Sequence, residues 1–284
     1  MRDESGRLEP PDVGEVVAAL RRQPVAYQGR VQTVGEWVDA CKRSIHRRRE
    51  QDSEVAVFQR FLAALLERQM SGETYELRVS LFREQLRRPE QLSVTQAEEM
   101  LRSVNYRFPP QGALTMVEFR DLWYELGWSW GGYWALAETN WETGFLDDPL
   151  LNVKYIGLKT RDFALSEYSD HFCALDVHIK RLMARTGLVW WSLVWRAEAC
   201  ALGPDRPWND PWYHSLRNLV VGFCRADGFP ERPDALTPAD FDRTLWFFGQ
   251  GFCGAKAPCE ACPAAGVCLT GRDAAPDAGP SDVV

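Results

Sequence analysis

The stretch Leu150-Leu151-Asn152-Val153-Lys154-Tyr155-Ile156-Gly157-Leu158-Lys159-Thr160, preceded by Asp148-Pro149, decides how this chain folds. An acidic cap followed by proline in the first turn starts a helix. Gly157 then turns the chain, and a second helix begins at once, so residues 146–168 read as helix, tight turn, helix. The backbone N–H groups at the start of the second helix favour an anion such as a phosphate. Most short helical hairpins are structural, so the hairpin alone carries no function. Seventeen residues after Lys159 comes Leu175-Asp176-Val177-His178-Ile179. Asp176 reads as the cap of a helix that turns Ile179, Leu182, Met183 and Thr186 inward and ends at Gly187.

Further on, Cys253, Cys259, Cys262 and Cys268 fall within sixteen residues. Thiolates this close converge on one metal centre or form disulfides. The polar start, MRDESGRLEPPD, carries no secretory signal pattern, which argues for a reducing compartment and against disulfides. Structural zinc commonly uses two Cys-x2-Cys knuckles, and only one short spacing is present here. Two longer loops flanking it suit a [4Fe–4S] cluster, whose irons each take one cysteine. Zinc stays open as the alternative. The scattered Cys41, Cys173, Cys200 and Cys224 read as buried thiols.

Around these motifs the 284-residue chain reads as all-α, because helical spacing dominates and no sustained alternation appears. Asp12 caps a helix through Arg22, and Thr33 caps another whose one face carries Trp37, Val38, Cys41 and Ile45. The other face of that helix is basic, with Lys42, Arg43, Arg47, Arg48 and Arg49. Val57, Phe58, Phe61, Leu62, Leu65 and Leu66 mark a core helix. Further helices fit 74–87, 95–103, 114–126, 131–139, 214–226 and 238–250. No membrane span is expected: the longest apolar run, Gly187 to Trp195, is too short. The net charge of −7 counts against a nucleic-acid binder. Residues 227–284, however, hold nine acids and four bases, so most of the excess acid is local. Of the twelve tryptophans, five lie in 123–141 and five in 190–212; core packing is the plain reading, base stacking the sharper one.

Taken together, the hairpin lysine, Leu-Asp-x-His and the downstream four-cysteine loop resemble the helix-hairpin-helix DNA glycosylase superfamily. The match over about residues 54–268 looks most like its iron–sulfur branch, the endonuclease III family. Three departures stand out. Lys154-Tyr155-Ile156-Gly157 lacks the first glycine of the family's Pro-Gly-hydrophobic-Gly. The first cysteine spacing is one residue shorter than the family's. The chain between Asp176 and Cys253 is longer, with the excess in the Trp-rich 187–213 region.

The resemblance implies a two-lobed all-α fold. A helical barrel takes 50–172, and residues 1–49 join 173–284 as the lobe carrying the cluster loop; separately, the small, acidic composition of 270–284 reads as a disordered tail. The resemblance also implies a bifunctional DNA glycosylase/AP lyase of base excision repair. Lys159 is then the Schiff-base nucleophile and Asp176 the essential carboxylate. In this chemistry a damaged base is flipped out of the duplex. The lysine amine displaces it at C1′, and β-elimination nicks the strand. Arg161 and an apolar wall would free the amine, and the helix N-terminus would keep Asp176 ionised. Gln69 matches a glutamine that fills the gap left by the flipped nucleotide. Asn105 and Arg107, in Asn105-Tyr106-Arg107-Phe108, occupy a second DNA-facing loop, similar to one in the 8-oxoguanine branches. Lys154, Ile156, Gly157 and Thr160 of the hairpin and Lys256 of the cysteine loop complete the expected DNA contacts, joined by Lys180 and the basic face at Arg43–Arg49. Cys253, Cys259, Cys262 and Cys268 would hold the [4Fe–4S] cluster. Oxidised pyrimidines are the favoured lesion and 8-oxoguanine the alternative. A non-catalytic iron–sulfur DNA-binding or redox-sensing protein and a zinc-stapled interaction module are the rivals from other classes. The expected partner is double-stranded DNA with damaged bases or abasic sites. The protein is expected to be a monomer in the cytoplasm, at the nucleoid if bacterial.

Overall fold

The structure is a computed structural model and describes residues 12–66, 72–125, 127, 129–189, 211–254 and 259–274. Gln69, Lys256, Cys200, most of the second tryptophan cluster and residues 275–284 lie outside the described residues, whereas the first five residues of the expected tail, 270–274, belong to the helix Leu269–Ala274. Helix α1 (Val13–Arg21) starts on Asp12, whose carboxylate accepts the Glu15 N–H at 2.8 Å. Helical spacing does not account for the next ten residues. Strands β1 (Pro24–Tyr27) and β2 (Arg30–Thr33) pair antiparallel through a two-residue turn. Gln28 and Gly29 both take positive φ, 49° and 72°, the backbone that a two-residue hairpin turn demands. Helix α2 (Val34–Gln51) then begins with a reciprocal capping pair between Thr33 and Glu36.

Helix α3 (Glu54–Leu65) is buried on all sides from Val57 onward, so it forms the axis of the next group of helices. Around it lie α4 (Gly72–Gln85), α5 (Val94–Ser103), α6 (Pro109–Glu125), α7 (Trp130–Thr139) and α8 (Leu158–Ser166), with α4 and α8 packed directly on it. Helices α5 and α6 press together at Gly112. A Cβ there would meet Leu101 Cδ1 and Tyr106 Cε1 at 2.7 Å, so only glycine permits the approach. Trp123, Trp130, Trp134 and Trp141 are buried, as plain core packing requires.

Helices α9 (Val177–Thr186), α10 (Pro211–Ala226), α11 (Pro238–Gly251) and α12 (Leu269–Ala274) complete the described elements. Helix α11 packs on α9, on α10, on β1 and on both α1 and α2, so the start of the chain closes on its end. Helix α9 buries Ile179, Leu182, Met183 and Thr186 and ends at Gly187 with φ 85°. The apolar three of these contribute roughly 1.5–3 kcal/mol each.

Part of the basic face of α2 is engaged by neighbouring acids: Lys42 and Arg48 are half-buried, while Arg43, Arg47 and Arg49 are exposed. Lys42 pairs with Asp240 of α11 at 3.1 Å. Arg48 donates to the Glu167 carbonyl at 2.8 Å, and Arg49 holds the Glu138 carboxylate. These three ion pairs and hydrogen bonds fasten α2 to its neighbours, although Arg49 is exposed like Arg43 and Arg47. Lys180 is buried, its ammonium 5.6 Å from the Tyr213 ring centre. Among the described residues, no helix is long and apolar enough to cross a membrane.

Candidate active site

The hairpin starts as expected but with a shorter first arm. Residues Pro149–Asn152 form a 3-10 turn capped by Asp148, whose Oδ1 accepts the Leu150 N–H at 2.9 Å. Tyr155 takes φ 66°. The turn thus places a bulky L side chain in the left-handed region, which glycine adopts without cost. Such a conformation costs an L side chain roughly 1–2 kcal/mol, and glycine's extra unfolded-state entropy offsets about half of that. We expect Tyr155→Gly to raise stability in urea by up to about 1 kcal/mol, and Tyr155→Val, β-branched, to lower it. A destabilised glycine variant would mean that the exposed ring makes contacts worth more than the strain.

Several hairpin groups expected to face DNA are already engaged. Ile156 is buried, and its N–H donates to the Val153 carbonyl at 3.2 Å. The Gly157 N–H donates to Thr160 Oγ1 at 3.3 Å. Lys154 donates both its backbone N–H, at 2.8 Å, and its ammonium, at 2.6 Å, to the Glu118 carboxylate of α6. Burial pushes the Glu118 carboxyl up, but the Lys154 bonds outweigh it and hold it below its ordinary range. Helix α6 also links the second loop to the hairpin. Asn105 (φ 52°) and the exposed Arg107 sit just ahead of it, and its Thr115 donates to the Lys154 carbonyl at 3.0 Å.

Arg161 was expected to bias Lys159, and it does something else. It is fully buried, donating to the Phe145 and Gly144 carbonyls at 2.8 Å and pairing with Asp148 and Asp162 at 3.0 and 2.7 Å. Its charge is matched by these two acids, and it locks the 144–148 loop beneath the hairpin. Removing one partner of such a pair costs about 3–5 kcal/mol.

The structure does bring Lys159 and Asp176 together. Lys159 is half-buried in the first turn of α8, its ammonium 5.8 Å from the centre of the Phe163 ring one turn on. Asp176 caps α9, its Oδ1 accepting the N–H groups of His178 at 2.8 Å and Ile179 at 3.0 Å. Burial raises the Asp176 carboxyl above its ordinary range; those N–H groups and the charges of His178 and Lys159 oppose the rise without cancelling it. The cap amides favour the ionised form, as expected of a helix N-terminus, while burial sets the direction of the shift.

A third group was missed in the sequence. Asp242 of α11 is buried, and its Oδ2 accepts the Ala174 N–H at 2.7 Å. Burial pushes its carboxyl up to about 7, with the Asp176 charge adding to the rise and Ala174, Arg243 and Lys159 opposing it. In the sequence Asp242 looks like one more acid at the start of a helix.

The four cysteines of the C-terminal loop line one largely enclosed cavity, walled by Leu20, Leu182, Phe248 and Phe252. The Arg185 guanidinium donates to Cys253 Sγ at 3.2 Å, and Cys268 Sγ donates to the Arg185 carbonyl at 3.2 Å. Among the described residues, no group of three or more His, Cys, Asp or Glu side chains is placed to hold a metal ion. The four cysteines share one cavity lining, which a cluster taking one cysteine per iron would require.

The chain shares its helical fold with a solved DNA glycosylase. Among solved structures, it is similar to the 8-oxoguanine DNA glycosylase of Thermotoga maritima, with TM-score 0.52, 22% identity, and 75% of this chain and 89% of that one covered. The 8-oxoguanine DNA glycosylase of Methanocaldococcus jannaschii gives TM-score 0.49 and 16% identity over 75% of this chain and 86% of that one. No protein-family model and no curated protein matches the sequence.

Proposed function

We propose that this chain is a bifunctional DNA glycosylase/AP lyase that excises an oxidised base from double-stranded DNA, with 8-oxoguanine as the first candidate lesion. The observation that carries the reading is that Lys159, in the first turn of the hairpin helix, lies near enough to the Asp176 cap for their charges to act on each other. In the proposed reaction, the neutral Lys159 amine attacks C1′ of the flipped nucleotide and the base departs. The Asp176 carboxylate faces the positive charge that develops on the sugar. Deprotonation of the attached amine and opening of the C1′–O4′ bond give the protonated imine, which acidifies the C2′ hydrogen, and β-elimination breaks the C3′–O bond and expels the 3′ phosphate with its strand. The likeness to the Thermotoga glycosylase supports placing 8-oxoguanine ahead of oxidised pyrimidines, the favoured substrate of an endonuclease III reading.

Borohydride trapping on duplexes that each carry one defined lesion tests this. A covalent adduct with 8-oxoguanine supports the first candidate, and one with oxidised pyrimidines alone supports the second. Binding without any adduct supports a non-catalytic DNA-binding protein.

We also infer that Cys253, Cys259, Cys262 and Cys268 hold a [4Fe–4S] cluster, on the strength of their spacing and shared cavity. The cluster would supply a staple for the loop after α11. Purified protein should contain iron and acid-labile sulfide in equal amounts and absorb broadly in the visible, and Cys262→Ser should lose both. Zinc without sulfide would sink this assignment.

A further inference from the structure

We propose that Asp242 is a positioning residue of the Lys159–Asp176 site, holding the Cys173–Asp176 segment by the Ala174 amide and setting the charge that faces the Lys159 amine. The proposal rests on the glycosylase/lyase reading and adds a residue to it.

The geometry is a tether. Asp242, on the second turn of α11, is 8% exposed and accepts the Ala174 N–H at 2.7 Å. Ala174 lies two residues before Asp176, whose Oδ1 is in turn fixed by the His178 and Ile179 amides. The segment is thus held at one end by α9 and at the other by α11. A third hold is the Tyr213 hydroxyl, 3.3 Å from the Cys173 carbonyl and 2.9 Å from Asp162 Oδ2. Releasing the Ala174 amide would let Asp176 drift, and small displacements of a reacting group are costly.

Charge is the second part. Lys159 from α8, Asp176 from the start of α9 and Arg243 from its own helix all act on Asp242, while Asp242 acts on the Cys173 thiol. On the other sides of α11, Lys42 of α2 pairs with Asp240, and Arg217 of α10 lies 3.7 Å from Asp162. With Asp242 protonated, the Lys159 amine faces one carboxylate. With Asp242 ionised it faces two, which hold the proton on the amine and slow attack. Because burial places this ionisation near neutrality, the effect falls within the working range of pH.

D242N keeps a side-chain oxygen for the Ala174 amide and never ionises, whereas D242A loses both. Amide hydrogen exchange at Ala174 should quicken about tenfold or more in D242A and stay near wild type in D242N. The wild-type rate of borohydride trapping should level off as pH passes about 7. The D242N rate should keep rising, so the ratio of the two grows roughly threefold or more. Unchanged Ala174 exchange in D242A, or parallel pH profiles, overturns the proposal. If the wild type forms no adduct on any lesion, the lyase reading fails and the charge role with it, and Ala174 exchange still decides the tether.

Discussion

Lys159→Gln should abolish the borohydride-trapped adduct with lesion-bearing duplex, a loss of about a thousandfold or more, because the amide has no nucleophilic nitrogen to form an imine. The fold should hardly notice. Lys159 is half-buried at the head of α8, its ammonium stands over the edge of the apolar Phe163, and glutamine retains most of its stem. A stability change within about 1 kcal/mol is expected. Duplex affinity, read by fluorescence anisotropy, should fall only a few-fold, since one cation is lost. A variant that still traps DNA like wild type would remove Lys159 from the chemistry and leave the fold as the sole link to glycosylases.

Asp176→Asn separates capping from chemistry. The asparagine oxygen can still accept the His178 and Ile179 amides, so α9 keeps its start. The sign of the stability effect comes from linkage. The folded carboxyl titrates above its ordinary value because burial opposes its charge. Its contribution is therefore fully present below about pH 3.8 and lost as pH rises through the folded value. Once ionised, the buried carboxylate is a burden on the folded state, so Asp176→Asn should be neutral or slightly stabilising in urea titration above the folded value. Excision should nevertheless drop about a hundredfold or more, because the amide cannot face the sugar cation with negative charge. A variant that unfolds easily and loses activity in proportion would make Asp176 a cap and nothing more.

Local chemistry was the part of this chain legible in its sequence. The Asp12, Thr33 and Asp176 caps each act within three residues, and the inward face of α9 repeats at helical spacing, so both were read directly. The β1–β2 pair escaped because four-residue strands are too short to show alternation, and Gln28-Gly29 is a weaker turn signal than Asn-Gly. The site divides in the same way. Lys159 and Asp176 carry recognisable neighbours. Asp242 lies sixty-six residues beyond Asp176 and reaches the site only through packing of α11 on α9. Arg161 misled because a guanidinium next to a lysine suggests electrostatic bias, whereas two acids from its own neighbourhood claim it. The Arg48 and Arg49 side chains looked like a nucleic-acid face because their partners, Glu167 and Glu138, are distant in the chain.

The Lys154–Glu118 pair bears on how such a protein would search a genome. On the proposed reading, a phosphate arriving at the hairpin meets an ammonium already matched by a carboxylate at 2.6 Å. Grip on ordinary duplex grows with each counterion released, about 0.9 in log–log slope per phosphate, and a cation matched in advance adds little. The arginines of α2 that hold Glu167 and Glu138 are likewise withheld. Dwell on undamaged DNA would then be brief, and the molecule would hop more than slide. Residence time would rise at the lesion, where the extruded nucleotide enters the cleft and adds contacts that backbone charge alone does not provide.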